Sequence, residues 1–184
     1  MIQTNQSIAL VKMTEGDVTR ITPIVTEAFE KATLEIFGEE KAKMQSQMID
    51  DDALRQSAFD NKTDAYIIVI DGNESGIAVL KEFGKNAYSL ELLSISPQHQ
   101  SKGTGLLVWN KIEELYPNAE VFETTTPTFA TRNVNFYVNK CKFHIVEMLD
   151  MEKIARETGE ENPFAGDEHF RFNFRFQKKM EISK

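Results

Sequence analysis

The sequence predicts an α/β protein (α+β mixed) in which helices cover both faces of a central mixed, mostly antiparallel sheet of about seven strands. Three patterns lead to this fold class. Residues 17–37 repeat apolar positions at helical spacing, residues 65–71 form a β-branched apolar run, and residues 169–177 alternate between phenylalanine and polar residues. No repeat or linker divides the 184 residues, so we expect one domain, 1–184, with its core at about 7–177.

Two helices are predicted between the first two strands. The first begins either at Asp17, a residue type that caps helices, or near Pro23, because proline is favoured in a first helical turn. The second helix is more polar and covers about 39–60. Its inner face is expected to carry Met44 and Met48.

The other elements follow from side-chain periodicity and turn residues. Seven segments have the composition or alternation of strands: 7–14, 65–71, 77–83, 87–96, 119–126, 143–150 and 169–177. Helices at 103–116 and 131–141 complete the order β-α-α-β-β-β-α-β-α-β-β. The run at 156–169 is predicted to be an exposed acidic loop, and the phenylalanines of the last strand predict a sheet face packed on the core.

The charge balance and the cysteine content limit the partners and the compartment. Lys and Arg number 21 against 29 Asp and Glu, and the formal net charge is -8. We therefore expect neither nucleic acid nor an anionic membrane as a partner, because both require a dense basic surface. Cys141 is the single cysteine, residues 1–17 do not resemble a signal peptide, and no apolar run approaches the ~20 residues of a membrane helix. A soluble cytoplasmic protein is expected.

Two glycines lie at the junction of a predicted strand and a predicted helix. Gly103 and Gly105 follow strand 87–96 and open helix 103–116. Glycine permits φ > 0 and a close approach of a ligand, and the first N–H groups of a helix have no intrahelical partners. With the helix dipole, these donors suit a pyrophosphate. The same pattern is equally typical of a tight turn whose helix donors bind water.

Two better-known glycine motifs and a metal site do not fit. A Walker A loop has its lysine after the glycines, whereas Lys102 precedes them. The dinucleotide-binding G-x-G-x-x-G needs a third small residue, and the chain has Val108 there. A kinase or a dehydrogenase is therefore not expected. His99, His144 and His169 also lack the spacing of metal ligands, so we expect no metal.

The residues around the glycines resemble a known family. Gln100-Ser101-Lys102-Gly103-Thr104-Gly105 fits the Q/R-x-x-G-x-G/A signature of the GCN5-related N-acetyltransferases, the GNAT family. ELLSISPQHQSKGTG resembles the family's strand-proline-loop-helix unit, and FYVNKCKF resembles its later FY-x-K-x-GF segment. The element order is also similar, so the resemblance covers about 7–177.

The resemblance implies an enzyme that moves the acetyl group of acetyl-CoA directly to a primary amine of a small molecule or peptide. Strand 87–96 would part from strand 119–126, with the pantetheine arm between them. Backbone groups at Leu93, Ser94 and Ile95 would bind that arm and polarise the thioester carbonyl. The pyrophosphate would be held by the residues of the signature: Gln100, Ser101, Lys102, Gly103, Thr104 and Gly105.

The reaction needs one proton removed from the attacking ammonium and one given to the leaving thiolate. By the resemblance, Tyr137 is the candidate acid, Glu91 the candidate base, and Asn133 a candidate contact to the cofactor. Solvent is the alternative for either proton. Aligned on NKCKF, the segment has Val138 at the position of the family's tyrosine and Lys142 at that of its glycine.

Two functions therefore stay open. The leading one is an acetyl-CoA-dependent N-acetyltransferase. The alternative is a non-catalytic CoA-binding or dimerisation module of the same fold, which the imperfect second segment suggests. The acceptor is not defined by the sequence, although the acidic charge favours a cationic amine. A monomer or a homodimer is expected.

Overall fold

The computed structural model describes residues 6–100, 103–159, 161–162 and 165–181. In this part of the chain the strands are β1 Ile8–Lys12, β2 Thr63–Ile70, β3 Asn73–Gly84, β4 Ala87–Ile95, β5 Val121–Pro127, β6 His144–Asp150 and β7 Phe172–Lys179. The helices are α1 Val18–Phe37, α2 Glu39–Ser46, α3 Asp51–Ala58, α4 Thr104–Leu115, α5 Thr131–Asn135 and α6 Met151–Thr158. A π-helical turn, Phe136–Lys140, continues α5.

The seven described strands form one sheet in the order β1-β2-β3-β4-β5-β7-β6. The pairs β1–β2, β2–β3, β5–β7 and β6–β7 are antiparallel. The predicted α/β class and the seven-stranded, mostly antiparallel sheet are thereby confirmed. Two compact units make up the chain: Met1–Phe83 with Leu90–Pro117, and Gly84–Ser89 with Asn118–Lys184. Among the described residues, no helix has both the length and the apolar character needed to cross a bilayer.

In the first unit, one face of β2 and β3 packs against α1 and α3. Ala65 and Ile67 of β2 point to this side, as do Ile77 and Val79 of β3. They alternate with residues of the opposite face because successive side chains of a strand point to opposite sides. The helices contribute a matching set of buried apolar residues: Val18, Ile21, Val25, Leu54 and Ala58.

Helix α4 covers the opposite face of the same unit. Asp64 and Tyr66 of β2 point to this side, since they alternate with the residues that face α1. The hydroxyl of Tyr116, which ends α4, donates to Asp64 at 3.0 Å and lies 3.3 Å from the Tyr66 hydroxyl. In the middle of α4, Trp109 is fully buried and its indole N–H donates to Glu113 at 2.6 Å. The helix is therefore attached both by its apolar side and by its end.

In the second unit, the segment that follows α5 covers one face of β5 and β7. Phe176 of β7 is fully buried and lies opposite Thr124 of β5. The ring centroid of Tyr137 is 5.6 Å from that of Phe176 and 5.7 Å from that of Phe143. These aromatic rings form the core of this unit.

The predicted second helix is in fact two helices. α2 ends at Ser46, and α3 begins at Asp51 with Asp50 as its N-cap, whose carboxylate accepts from the Ala53 N–H at 2.8 Å. Aspartate stops a preceding helix and starts a new one because its side chain satisfies a free N–H group. Met48 lies in the break and is 44% exposed, so its predicted inward position is wrong. The Met44 side chain lies outside the described residues.

Two further elements differ from the prediction. Residues 151–158 form α6, whereas the sequence predicted no helix there and placed the start of an acidic loop at 156. β7 begins at Phe172, because Glu168–Phe170 form a 3-10 turn in which Phe170 is buried. Phe172 and Phe174 are only half-buried. The phenylalanine stripe is therefore a packed face chiefly at Phe176.

Candidate functional site

The end of β4 lies in unusually close contact with β3. A Cβ atom on Gly76 of β3 would lie 2.0 Å from the carbonyl oxygen of Ser94, far inside van der Waals distance. The Ser96 N–H donates to the Ser75 carbonyl at 2.7 Å, and both Ser94 and Ser96 are buried. Only glycine fits at position 76, and it sets how closely the end of β4 approaches its neighbour.

The other candidate residues of β4 share one face of the strand. Glu91 is exposed, and Leu93 and Ile95 are half-buried. The pKa of Lys81 is raised, chiefly by its hydrogen bond to Asp60 at 2.5 Å and to the smallest extent by the charge of Glu91. The carboxylate predicted as a base is thus accessible to solvent and within the field of a lysine.

The loop after β4 is tied back to the end of that strand. Pro97–His99 form a 3-10 turn, and the His99 N–H donates to the Ser96 carbonyl at 3.0 Å. The Gln100 side-chain amide donates to the Ile95 carbonyl at 2.7 Å. Gln100 therefore has a definite structural role in the loop. Ser101 and Lys102 lie outside the described residues.

The start of α4 has the backbone that the two glycines predict. Gly103 is the N-cap, is exposed, and takes the left-handed conformation with φ 79°. Its carbonyl accepts from the Leu106 and Leu107 N–H groups at 3.1 and 3.3 Å. Thr104 is buried, and its hydroxyl donates to Gln6 at 2.9 Å, so in this structure that group is directed to the protein.

This helix start is suited to an anion. The first N–H groups of an α-helix lack intrahelical acceptors and carry the positive end of the helix dipole. Gly105, the second residue of α4, is half-buried and has no side chain to cover those groups. A Cβ built on Gly103 would meet no atom within 4 Å, so the space above the N-cap is open. Phosphate oxygens commonly bind in such a position.

Tyr137 and Asn133 lie together on β5 in the second unit. Asn133, in α5, donates to the Thr126 hydroxyl at 3.3 Å. Tyr137 is only 8% exposed and shares a hydrogen bond with Thr124. Burial raises the pKa of Tyr137 to about 12, although the bond to Thr124 acts in the opposite direction. Positions i and i+4 of this helical segment thus contact alternate threonines of one strand.

The π-helical turn accounts for the spacing that departs from the family's segment. Six positions separate Tyr137 from Phe143, against five in FY-x-K-x-GF. The Cys141 N–H donates to the Phe136 carbonyl at 3.0 Å, a bond that spans one residue more than in an α-helix. The extra residue is therefore taken up within the turn. Tyr137, rather than Val138, is the buried residue, and Val138 is half-buried.

Lys142 has the backbone conformation of the glycine that the family has at this position. Its φ is 65°, in the left-handed region that favours glycine. We expect Lys142→Gly to raise the free energy of unfolding by about 0.5–1 kcal/mol, because glycine adopts this conformation without steric cost. Urea denaturation measures the change. Lys140→Gly, in the helical turn, is the matched control and should destabilise the protein; stabilisation by both or by neither contradicts the explanation.

The sequence did not point to two residues that contact candidate residues, Gly76 in the first unit and Thr124 in the second. Gly76 lies just before the predicted strand 77–83, and a glycine in or next to an apolar strand is a known sign of close backbone approach. Thr124 lies within the predicted strand 119–126, and no pattern in the neighbouring sequence indicates its contact with Tyr137. In the described residues no three His, Cys, Asp or Glu side chains come together as metal ligands would.

Comparison with known proteins gives one relative and several structures. No family model matches the chain. It is 37% identical over 175 residues to the uncharacterized protein YrkN of Bacillus subtilis (strain 168), with 90% of each chain covered. It is similar in structure to the PaiA N-acetyltransferase of Thermoplasma acidophilum in complex with coenzyme A, at a TM-score of 0.67 and 16% identity over 95% of this chain and 99% of that chain. A GNAT family acetyltransferase of Elizabethkingia anophelis with acetyl-CoA bound gives a TM-score of 0.59 and 13% identity over 97% and 100% of the two chains.

The chain therefore has the fold of these GNAT acetyltransferases, as the resemblance of its sequence predicted. At the level of sequence the chain belongs to the same protein family as YrkN.

Proposed function

We propose that this protein transfers the acetyl group of acetyl-CoA to a primary amine of a small molecule or peptide. The observation that carries the proposal is the geometry of the β4–loop–α4 segment. The strand end is held against β3, the loop is tied back by Gln100, and the helix opens on an exposed left-handed glycine, Gly103. Such a segment in an acetyltransferase fold suits a ligand with a pyrophosphate at one end and amides along its length.

Acetyl-CoA would lie along the β4–loop–α4 segment. Backbone groups at Leu93, Ser94 and Ile95 would hydrogen-bond the pantetheine amides, and one of them would polarise the thioester carbonyl. Free N–H groups at the start of α4 would hold the pyrophosphate, with the side chains of Ser101 and Lys102 as further donors. The Gln100 amide and the Thr104 hydroxyl would act by holding the loop in place, since both are engaged within the protein.

The acetyl transfer itself requires a bond to form between the amine nitrogen and the thioester carbon, followed by cleavage of the carbon–sulfur bond. The amine must lose a proton, and we propose that the exposed Glu91 carboxylate accepts it, directly or through a water. The leaving thiolate must gain a proton, and we propose that the Tyr137 hydroxyl donates it. That hydroxyl stays protonated at neutral pH because its pKa is about 12. Asn133 would contact the cofactor beside Tyr137.

The acceptor is proposed to be a cationic amine, because the chain carries a formal net charge of -8 and its field attracts cations. We propose a cytoplasmic site of action, where acetyl-CoA is available. Neither nucleic acid nor a membrane is needed for this reaction.

Two measurements test the function in sequence. Acetyl-CoA at 100 times its Kd should stabilise the protein by about 2.7 kcal/mol, visible as a rise in Tm. The absence of a shift at millimolar acetyl-CoA would end the proposal. Release of free thiol is then measured with a panel of polyamines, aminoglycosides and lysine peptides. Binding without thiol release on any amine would favour the non-catalytic module.

Gly103→Ala should weaken acetyl-CoA binding about tenfold or more, because a methyl group would stand over the helix start. Gly159→Ala is the matched control: Gly159 ends α6 at φ 74°, and a Cβ there also meets no atom within 4 Å. Both variants should lose similar stability from left-handed strain, and only the first should lose affinity in calorimetric titration. Equal affinities in the two variants would remove the loop from the binding site.

A further inference from the structure

Strand β6 exposes a free edge and apolar side chains. It lies at the end of the sheet next to β7, and its other edge faces no strand in the part of the chain that the structure describes. Ile145 and Val146 are each 45% exposed and Met148 is 61% exposed. An edge strand with large apolar residues and unpaired backbone groups readily pairs with another strand.

A bulge in β6 brings two of these apolar residues to the same face. Ile145 lies opposite Phe176, and Met148 lies opposite Phe174, with the pairing register shifted between Ile145 and Glu147. Residues three apart in a regular strand point to opposite faces, but the extra residue, Val146, reverses this. Ile145 and Met148 therefore project beside the phenylalanines of β7, and both are largely uncovered.

The opposite face of β6 is polar. Glu147 lies opposite Arg175, which binds it at 2.8 Å, and His144 lies opposite Gln177. His144, Val146 and Gln177 line one open pocket. The strand thus has an apolar pair on one face and a polar row on the other.

We propose that β6 pairs antiparallel with β6 of a second copy of this chain, around a two-fold axis between Val146 and Glu147. This register places Ile145 opposite Met148 of the second copy, and the reverse, so that four exposed apolar side chains meet on one face. Side chains directly opposite each other in an antiparallel pair lie on the same face, and this register meets that condition for Ile145 and Met148. It also places each Glu147 opposite Val146 of the other copy, which avoids direct pairing of like charges.

The charges at the ends of β6 favour the same arrangement. The basic side chain of Lys142 lies just before its start and the acidic side chain of Glu152 just after its end, whereas Asp150 is ion-paired with Arg171 of the same chain. An antiparallel pair brings the basic end of one strand beside the acidic end of the other. Because the apolar and the charged pattern are both self-complementary, a second copy fits this edge better than an unrelated partner.

The oligomeric state of the full chain tests the proposal. Sedimentation velocity across the micromolar range should give a dimer, and Ile145→Lys/Met148→Lys should raise its Kd at least about 100-fold, since it removes the apolar contact and adds like charges. Val11→Lys is the matched control, because Val11 is 49% exposed on β1 at the opposite edge of the sheet. A monomer at all concentrations, or a dimer that Val11→Lys disrupts instead, overturns the proposal.

Disulfide trapping tests the register without depending on the lysine variant. The only native cysteine, Cys141, is 1% exposed and gives a low background. Under mild oxidation Ile145→Cys/Met148→Cys should form covalent dimers several times faster than either single variant, because only the double variant places two thiols directly opposite each other. Equal rates in the single and double variants would exclude this register.

Discussion

Replacing Gly76 by alanine is expected to lower the free energy of unfolding by about 3 kcal/mol or more and to weaken acetyl-CoA binding. The new Cβ would lie 2.0 Å from the Ser94 carbonyl oxygen and 3.0 Å from the Ile95 Cα. Both are backbone atoms, so no side-chain rotation relieves the clash, and the end of β4 must move away from β3. Urea denaturation measures the stability, and calorimetric titration with acetyl-CoA measures the affinity.

Gly84→Ala is the matched control for this prediction. Gly84 ends the same strand, and its added Cβ would lie 3.5 Å from the Cβ of Ala87, an ordinary contact. Its stability and affinity should stay close to those of the native protein. If Gly76→Ala loses stability but binds acetyl-CoA with native affinity, the strand end is structural only, and the placement of the pantetheine arm along it is wrong.

Tyr137→Phe is expected to lower kcat about 100-fold while leaving the Kd of acetyl-CoA within twofold, because it removes only the hydroxyl that would protonate the thiolate. The ring contacts with Phe143 and Phe176 remain. Steady-state thiol release with the best acceptor measures kcat. An unchanged kcat would assign that proton to solvent.

Thr124→Val distinguishes the proposed catalytic role of the Tyr137 hydroxyl from its role in stabilising the fold. It removes the partner of Tyr137 but keeps the phenol, so it should share the stability loss of Tyr137→Phe and retain most of kcat. Stability against pH provides a second readout. The folded pKa of about 12 lies above the ordinary tyrosine pKa of 10.0, so this contribution is complete below pH 10 and is lost as pH rises toward 12. Tyr137→Phe should lack that part of the alkaline loss.

Much of the architecture could be predicted from the sequence because the signals were local. Strands such as β2 and β7 follow from β-branched runs and alternation, and α1 follows from its apolar spacing. Helix α6 was missed because its short apolar side, Met151 and Ile154, is only half-buried and lies among charged residues. The break after Ser46 was missed because α2 and α3 are both polar.

The candidate residues likewise differ in whether a local sequence pattern predicts their surroundings. The loop signature and the left-handed Gly103 are properties of a short segment, so the sequence could predict them. The surroundings of Tyr137 depend on Thr124 and Phe176, which lie far away in the chain, and no local pattern contains those contacts. The spacing between Tyr137 and Phe143 showed one extra residue, but only three-dimensional structure shows that a π-helical turn contains it.

The burial of Trp109 gives this protein a spectroscopic reporter of its own. Trp109 is the single tryptophan, and it lies in α4, within the first unit and on the helix whose start is proposed to bind pyrophosphate. Selectively excited tryptophan emission therefore follows the first unit alone, whereas far-ultraviolet circular dichroism sums over both units. Coincident denaturation curves from the two signals would indicate one cooperative domain, and separate midpoints would show two units that unfold independently.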